Sequence, residues 1–371
     1  MFLQQLKIRN FRNYEKLDLS LDKNINIFFG NNAQGKTNIL ESVHFIALSK
    51  SHRTNNDLEM LMEGKKSFKV SANMHKNNIK YNLEIDYKDN KKHLFIDNDE
   101  YFKLNEYLSH LNIIIFYPDD IDIIKGLPDS RRKFLNNELS QLYPVYLKVL
   151  NEYNKLLKMK NDLLRKLNNR EKIDMSYFNI VNEYLVDKAI FIYRARKKFI
   201  DKINNNIESI FYDISKRKGF YLKYITKPNI DDFDSNSLKS YLKEHIANSF
   251  KEEVNAGMAL YGPHRDDFEF ILDEKSLRKY GSQGQQKLSV LALKLSEINI
   301  FENQLGEKPV LLLDDIFSEF DKKKKNLILK YINNDIQSII TTTDLNNISK
   351  EILSKSKIFN VDNGIVKEIK R

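Results

Sequence analysis

The chain has 371 residues, 41% of them hydrophobic and 30% charged, a composition that folds around a core and excludes a disordered or collagen-like chain. Lysine and arginine exceed aspartate and glutamate by a net charge of +10, which makes nucleic acid the first partner to consider, and the length predicts two or three domains. Cysteine is absent, so disulfides and thiolate metal sites are excluded and a reducing cytoplasmic setting is expected.

In chain order, Phe2–Arg9 alternates apolar and polar residues like a half-buried strand. Leu17, Leu19 and Leu21 resume that alternation after Arg12-Asn13-Tyr14. Met1–Glu15 lacks the apolar stretch of a signal peptide, and the densest apolar runs, Ile113–Tyr117 and Val310–Leu313, are far too short to cross a bilayer. No membrane partner is expected. Asn26–Phe29 predicts a short strand, followed by a glycine-bearing loop and a helix with Ile39, Val43 and Ile46 on one face. Further strands are predicted over Phe68–Ala72, Ile79–Tyr87, His93–Ile96 and Leu111–Tyr117, with Pro118 as a break.

From about Arg131 to Leu222 the periodicity becomes helical. Tyr146, Val149, Tyr153 and Leu156 share a face, and Pro144 suits a helix's first turn. The block is basic, with eight Lys/Arg against three Asp/Glu in 147–172 and six against one from Lys188 to Lys202. Two readings stay open, solvated helix faces or a DNA-facing surface. Arg194, Arg196, Lys197 and Lys198 are the first candidates to touch DNA, and Arg131, Arg132 and Lys133 the next. From about Leu260 the α/β texture returns, with a polar loop Tyr280–Gln286, an apolar helix Leu288–Ile300, and strands Pro309–Leu313, Ser338–Thr341 and Ile358–Val361. No repeat or Gly/Pro-rich linker interrupts the chain. The expected fold is therefore α/β, an ABC-type P-loop ATPase lobe formed from residues 1–130 and 260–371, with 131–259 inserted as a basic, mainly helical lobe.

Gly30-Asn31-Asn32-Ala33-Gln34-Gly35-Lys36-Thr37 fits the P-loop pattern G-x-x-x-x-G-K-[ST] in full. Its glycines let backbone N–H groups point at phosphates, Lys36 is placed to reach the β and γ oxygens, and Thr37 to put its hydroxyl on Mg²⁺. The helix that starts at this loop adds the positive end of its dipole, and Asn38 completes the candidate ATP-binding segment. Val310–Leu313 is a buried strand ending in Asp314 and Asp315. Asp314 is the expected Mg²⁺ partner, and Asp315 is placed to orient or deprotonate the attacking water. A long insertion separates Lys36 from Asp314. Within it, ahead of the apolar helix, stands Ser282-Gln283-Gly284-Gln285-Gln286, whose Ser282, Gly284 and Gln285 form a candidate anion site at a helix start.

In that order these motifs resemble the RecF family, relatives of the SMC-type heads in the ABC-ATPase superfamily. The resemblance runs from end to end. Leu6–Tyr14, Ser51-His52-Arg53-Thr54, Tyr117-Pro118-Asp119-Asp120, Arg131–Leu135, Tyr261–Asp267 and Leu312–Asp321 carry it as well, with Ser318-Glu319-Phe320-Asp321 at the position of the D-loop. It implies an ATP-dependent homodimer in which the Lys36 loop of one subunit faces Ser282 of the other, and slow, DNA-stimulated hydrolysis. It implies binding to single-stranded DNA and to gapped or junction duplex DNA, and loading of the RecA recombinase with the partners RecO and RecR. Two departures from the wider ABC pattern stand out: Thr341-Thr342-Thr343-Asp344 occupies the place of a switch histidine, and no Q-loop glutamine is visible near Tyr117–Asp120. The seven histidines show no metal-ligand spacing, and structural hydrogen bonding is expected of His52 and His264. An architectural, SMC-like DNA-bridging ATPase is the alternative, and an ABC transporter subunit a more distant rival.

Overall fold

The computed structural model describes residues 1–318, 320, 324–325, 328 and 335–369. The chain divides into two compact units. One consists of Met1–Ile121, Asp213–Ser215 and Val290–Arg371, the other of Asp122–Tyr212 and Lys216–Ser289.

The first unit holds two six-stranded sheets. One is antiparallel, with strands β1 (Phe2–Phe11), β2 (Tyr14–Ser20), β4 (Phe68–Lys76), β5 (Ile79–Lys88), β6 (Lys91–Ile96) and β7 (Asp99–Tyr101) in the order β2-β1-β4-β5-β6-β7. Its strands alternate as the sequence predicts, since a strand buried on one face only must repeat with period two. β1 buries Leu3, Leu6, Ile8 and Phe11, its period of two interrupted by a register shift between Leu3 and Gln5, and Phe68 meets both Phe11 and the helix residue Phe45 edge to face.

The other sheet joins β3 (Ile25–Phe29), β8 (Ile113–Phe116), β12 (Val310–Asp314), β13 (Ser338–Thr342), β14 (Ser356–Asp362) and β15 (Ile365–Glu368) in the order β15-β14-β3-β13-β12-β8. Every pairing except β14–β15 is parallel. β8, β12 and β13 are buried along their whole length, which is why they read as near-continuous apolar runs. Phe29 aligns with Thr342 and Asp314 with Thr341, so β3 and β12 end at the same edge of the sheet.

The second unit contains the helices Pro128–Leu142, Pro144–Asn168, Ser235–Asn248 and Phe250–Ala256 and most of Met175–Ser215. Pro128 and Pro144 each open a helix, where their missing N–H is not needed. The block is not purely helical. Strands β9 (Phe220–Ile225), β10 (Asp267–Leu272) and β11 (Lys275–Ser276) form a small antiparallel sheet in the order β11-β10-β9. β9 pairs with a strand more than forty positions downstream, a partner that local periodicity could not announce. The segment 260–289, expected with the ATPase lobe, clusters with the helices of this second unit.

Ion pairs at two neighbouring aspartates make that attachment. Arg196, 2% exposed, donates to Asp266 at 2.6 Å, to the Pro263 carbonyl at 2.6 Å, to Asn136 at 2.8 Å and to the Tyr146 hydroxyl at 3.1 Å. Tyr224 donates to the same carboxylate. Arg131, also 2% exposed, forms a two-pronged pair with Asp267 at 2.5 and 2.9 Å. Lys160 is buried against Glu253 at 2.6 Å. Arg196 and Arg131 are therefore structural cations, and the expectation that they reach DNA is corrected. Lys197 bonds to Asp201 one helical turn on, and Lys133 stands 3.8 Å from Asp129, while Arg194 and Lys198 remain exposed.

Removing one partner of a fully buried ion pair strands the other charge in a low-dielectric site, which costs about 3–5 kcal/mol. Asp266→Ala should lower stability by about that much in denaturant unfolding. The paired replacement Arg196→Met with Asp266→Leu should recover most of the loss, because neither charge is then left buried.

Candidate nucleotide site

β3 ends at Phe29, and the chain turns through Gly30–Gly35 into the helix Lys36–Leu48. Gly35 is the N-cap with φ 108°, and a side-chain carbon there would lie 2.5 Å from Asn13 Nδ2 and 2.8 Å from the Tyr14 hydroxyl. Only glycine fits. A collar of polar contacts fixes the loop from outside. The Tyr14 hydroxyl donates to the Gly35 carbonyl at 3.1 Å, and Asn13 Nδ2 donates to the Gln34 carbonyl at 3.3 Å. Gly364 N donates to that same carbonyl at 3.2 Å, and Asn363 N to the Gln34 side chain. Asn31, Asn32 and Ala33 form the exposed tip, with Ala33 at φ 63°.

The Lys36 ammonium curls back over this loop and donates to the carbonyls of Gly30 and Asn31, each at 2.7 Å. Burial lowers its pKa, while the carboxylates of Asp315 and Asp314 pull the other way. The Thr37 hydroxyl donates to Asp314 Oδ1 at 3.0 Å, although the two residues are 277 positions apart. Thr341 donates to the same oxygen at 2.6 Å, and its hydroxyl accepts from Asp315 N at 3.0 Å. Burial raises the Asp314 pKa, against the hydrogen bonds from Thr341 and Thr37. Asp315 follows the strand at once with φ 47°, in the left-handed region. Lys36, Thr37, Asp314 and Asp315 thus gather at one sheet edge of the first unit. Thr341 joins them, in the segment that occupies the place of a switch histidine.

Glu41, which belongs to none of the sequence motifs, is fully buried on the helix Lys36–Leu48. It accepts two bonds from Arg12 at 2.9 and 2.6 Å and one from Ser51 at 2.5 Å, and lies 3.3 Å from Arg53. Burial pushes its carboxyl up, but these donors and charges outweigh burial and hold it below its ordinary value. Arg53 also donates to Asn38 at 2.9 Å, and Asn38 to Asn13 at 2.8 Å. One buried carboxylate therefore ties two arginines to the nucleotide loop's helix, and Arg53 bonds to Asn38 on the same helix. The legible signal was an acidic residue inside an apolar helix.

Burial lowers the His52 pKa to about 4, and its ring stands 5.1 Å from that of His44 and 5.2 Å from that of Tyr117. His264, in the second unit, lies with Nδ1 2.6 Å from the Tyr153 hydroxyl. Asp120, near the place of a Q-loop glutamine, accepts from Tyr117 N at 2.9 Å, and burial raises its pKa to about 6.

The segment expected as a polar loop to Gln286 is helical from Gln283 onward. The physical reason is a reciprocal capping box: Ser282 N donates to Gln285 Oε1 at 2.8 Å and Gln285 N to Ser282 Oγ at 3.3 Å. Ser282 and Gly284 are exposed, and a methyl group added at Gly284 would meet no atom within 4 Å. Ser282, Gly284 and Gln285 belong to the second unit and the Lys36 loop to the first. In the expected D-loop, Glu319 and Asp321 lie outside the described residues. Among the described residues no helix is long and apolar enough to cross a membrane.

Residues 2–367 match the family described as the RecF/RecN/SMC N terminal domain. The chain is 37% identical over 369 residues to the DNA replication and repair protein RecF of Listeria monocytogenes serotype 4b, which covers 99% of this chain and 100% of that protein. It is 38% identical over 367 residues to the protein of the same name from Lacticaseibacillus casei, covering 98% and 99% respectively. A solved structure of the recombination mediator protein RecF with ATP in the RecFOR pathway superposes with a TM-score of 0.93 at 31% identity, over 100% of this chain and 98% of that one. On its motifs, its sheet topology and these likenesses together, the chain belongs to the RecF family and has the α/β fold of an ABC-type, SMC-head-like ATPase.

Proposed function

We propose that this chain is an ATP-binding and slowly ATP-hydrolysing DNA replication and repair protein, working in the cytoplasm. The observation that carries the nucleotide reading is the 3.0 Å bond from Thr37 to Asp314 beside the Lys36 ammonium. In this reading the backbone from Gly30 to Asn38 cradles the phosphates, and Lys36 exchanges its two carbonyl partners for phosphate oxygens. A hydroxyl and a carboxylate are hard oxygen donors that suit Mg²⁺, so Thr37 and Asp314 would hold the ion. Bound there, Mg²⁺ would neutralise charge on the β- and γ-phosphates. Asp315 orients the attacking water and takes up its proton.

A Lys36→Ala variant should lose ATP binding in equilibrium titration with a fluorescent nucleotide while keeping its unfolding midpoint. Asp315→Asn should still bind ATP but hydrolyse it about 10²–10⁴-fold more slowly, the usual contribution of a general base. Wild-type turnover by Asp315→Asn would remove it from the mechanism.

The exposure of Ser282 and Gly284 supports a shared site, in which this helix start reads the γ-phosphate held by the Lys36 loop of a second copy. Names borne by the relatives, DNA replication and repair protein and recombination mediator, support the cellular role. That role is binding single-stranded DNA and gapped or junction duplex DNA, and helping RecO and RecR to load RecA at damaged or stalled forks. The bridging alternative has less support: the longest helix, Met175–Ser215, has 41 residues and spans only about 60 Å.

Ser282→Arg should bind ATP as a monomer but fail to dimerise, and Lys36→Ala should fail for want of nucleotide. Mixing the two should restore part of the ATP-dependent association, because one heterodimer pairs an intact loop with an intact Ser282. Analytical ultracentrifugation with ATP and Mg²⁺ checks this, and tight dimers of Ser282→Arg alone would exclude a shared site.

A further inference from the structure

The outward face of the first antiparallel sheet is not used by the nucleotide site. There the strand registers align polar side chains in rows across β2, β1, β4 and β5, along a groove of about 1100 Å³. One row is a relay of amides: Asn82 donates to Asn73 at 2.7 Å, Asn73 to Gln5 at 2.9 Å, and Gln5 to Asp18 at 2.6 Å. Another places Lys16, Arg9 and Lys69 side by side on three neighbouring strands.

The groove's carboxylates are already engaged. Glu84 pairs with Lys69 at 2.8 Å, Glu15 with Lys65 at 3.0 Å, and Asp18 lies 3.9 Å from Lys7. Arg9 and Lys16 are left over. They stand directly opposite one another across β1 and β2, both exposed, and among the described residues no carboxylate comes within ion-pair distance of either. Like charges facing each other across a strand pair oppose pairing. A chain that keeps them there has use for an anion that neutralises both.

We propose that this groove seats the phosphate backbone of duplex DNA, with Arg9 and Lys16 each against a phosphate. The proposal rests on the DNA-binding reading above and adds the surface. Lining side chains are amide, hydroxyl, charged or aliphatic, with Ile365 the exposed aliphatic at one edge, and none is aromatic. Without aromatic rings the face offers no platform on which unpaired bases stack, and it lacks the aromatic anchors of a protein interface. Amides and cations are the groups that position a protein on a phosphate backbone. At one end the groove reaches Asn13 and Asn363, members of the collar around Gln34, so a bound duplex lies against the residues that hold the nucleotide loop.

The full-length double variant Arg9→Gln with Lys16→Gln tests it, using fluorescence anisotropy of a labelled duplex with ATP and Mg²⁺ across a salt series. Two lost phosphate contacts should weaken duplex binding and reduce the slope of log K against log[salt] by about 1.8, at about 0.9 per phosphate. ATP binding should be unchanged, and the unfolding midpoint equal or higher because a repulsion has been removed. Arg9→Lys with Lys16→Arg keeps both charges and should retain the wild-type slope; a reduced slope there would mean a structural role and overturn the proposal. Wild-type affinity and slope in the Gln variant would also overturn it and leave DNA binding to another face. A wild-type protein with no salt-dependent duplex binding would instead remove the DNA-binding reading itself.

Discussion

The parallel register of β3, β13 and β12 brings three hydroxyl and carboxylate side chains to one point, and the nucleotide site depends on it. Phe29 aligns with Thr342, and Thr341 with Asp314, so strands far apart in sequence end level with each other. A slip of one residue would turn Asp314 to the other face of the sheet, because side chains alternate along a strand. The hydroxyl of Thr37 would then lose its bond to Asp314. Thr341 reinforces the register by bonding both to Asp314 and to the backbone of Asp315.

Close to that point, and again in the second unit, a fully buried carboxylate is matched by arginine. Glu41 is fully buried and tolerates it because Arg12, Ser51 and Arg53 surround it. In the second unit, Arg196 and Asp266 repeat the arrangement with neutral oxygens filling the remaining donors of the guanidinium. Such pairs add little net stability over an apolar core, but each partner strongly constrains where the other can go. In the first unit this orders the residues behind the nucleotide loop. In the second it fixes the segment that leads to Ser282.

Charge on the surface follows another rule. Part of the basic excess in the helical block is absorbed in the interior, where Asp266 pairs with Arg196 and Glu253 with Lys160. Counting cations along the chain therefore overstated how much positive charge faces solvent there. On the first sheet the reverse holds, since a modest local excess leaves Arg9 and Lys16 uncompensated on an open face.

The sequence by itself determined the nucleotide loop, its flanking strand and helix, the Asp314-Asp315 strand end and the order of motifs that identifies the family. These are local: a glycine spacing, an apolar run or a period of two is set by neighbours in the chain. It also carried most strands of the first sheet, which bury one face and so alternate visibly. Only the tertiary structure decided that β9 pairs with β10, that residues 260–289 cluster with the helices, and that Glu41 and Thr341 belong beside the nucleotide loop. It alone sorted Arg196 and Arg131 into the interior while leaving Arg9 and Lys16 outside. Whether an arginine is a structural ion or a surface contact depends on which distant carboxylate the fold brings to it, and no window of sequence contains that information.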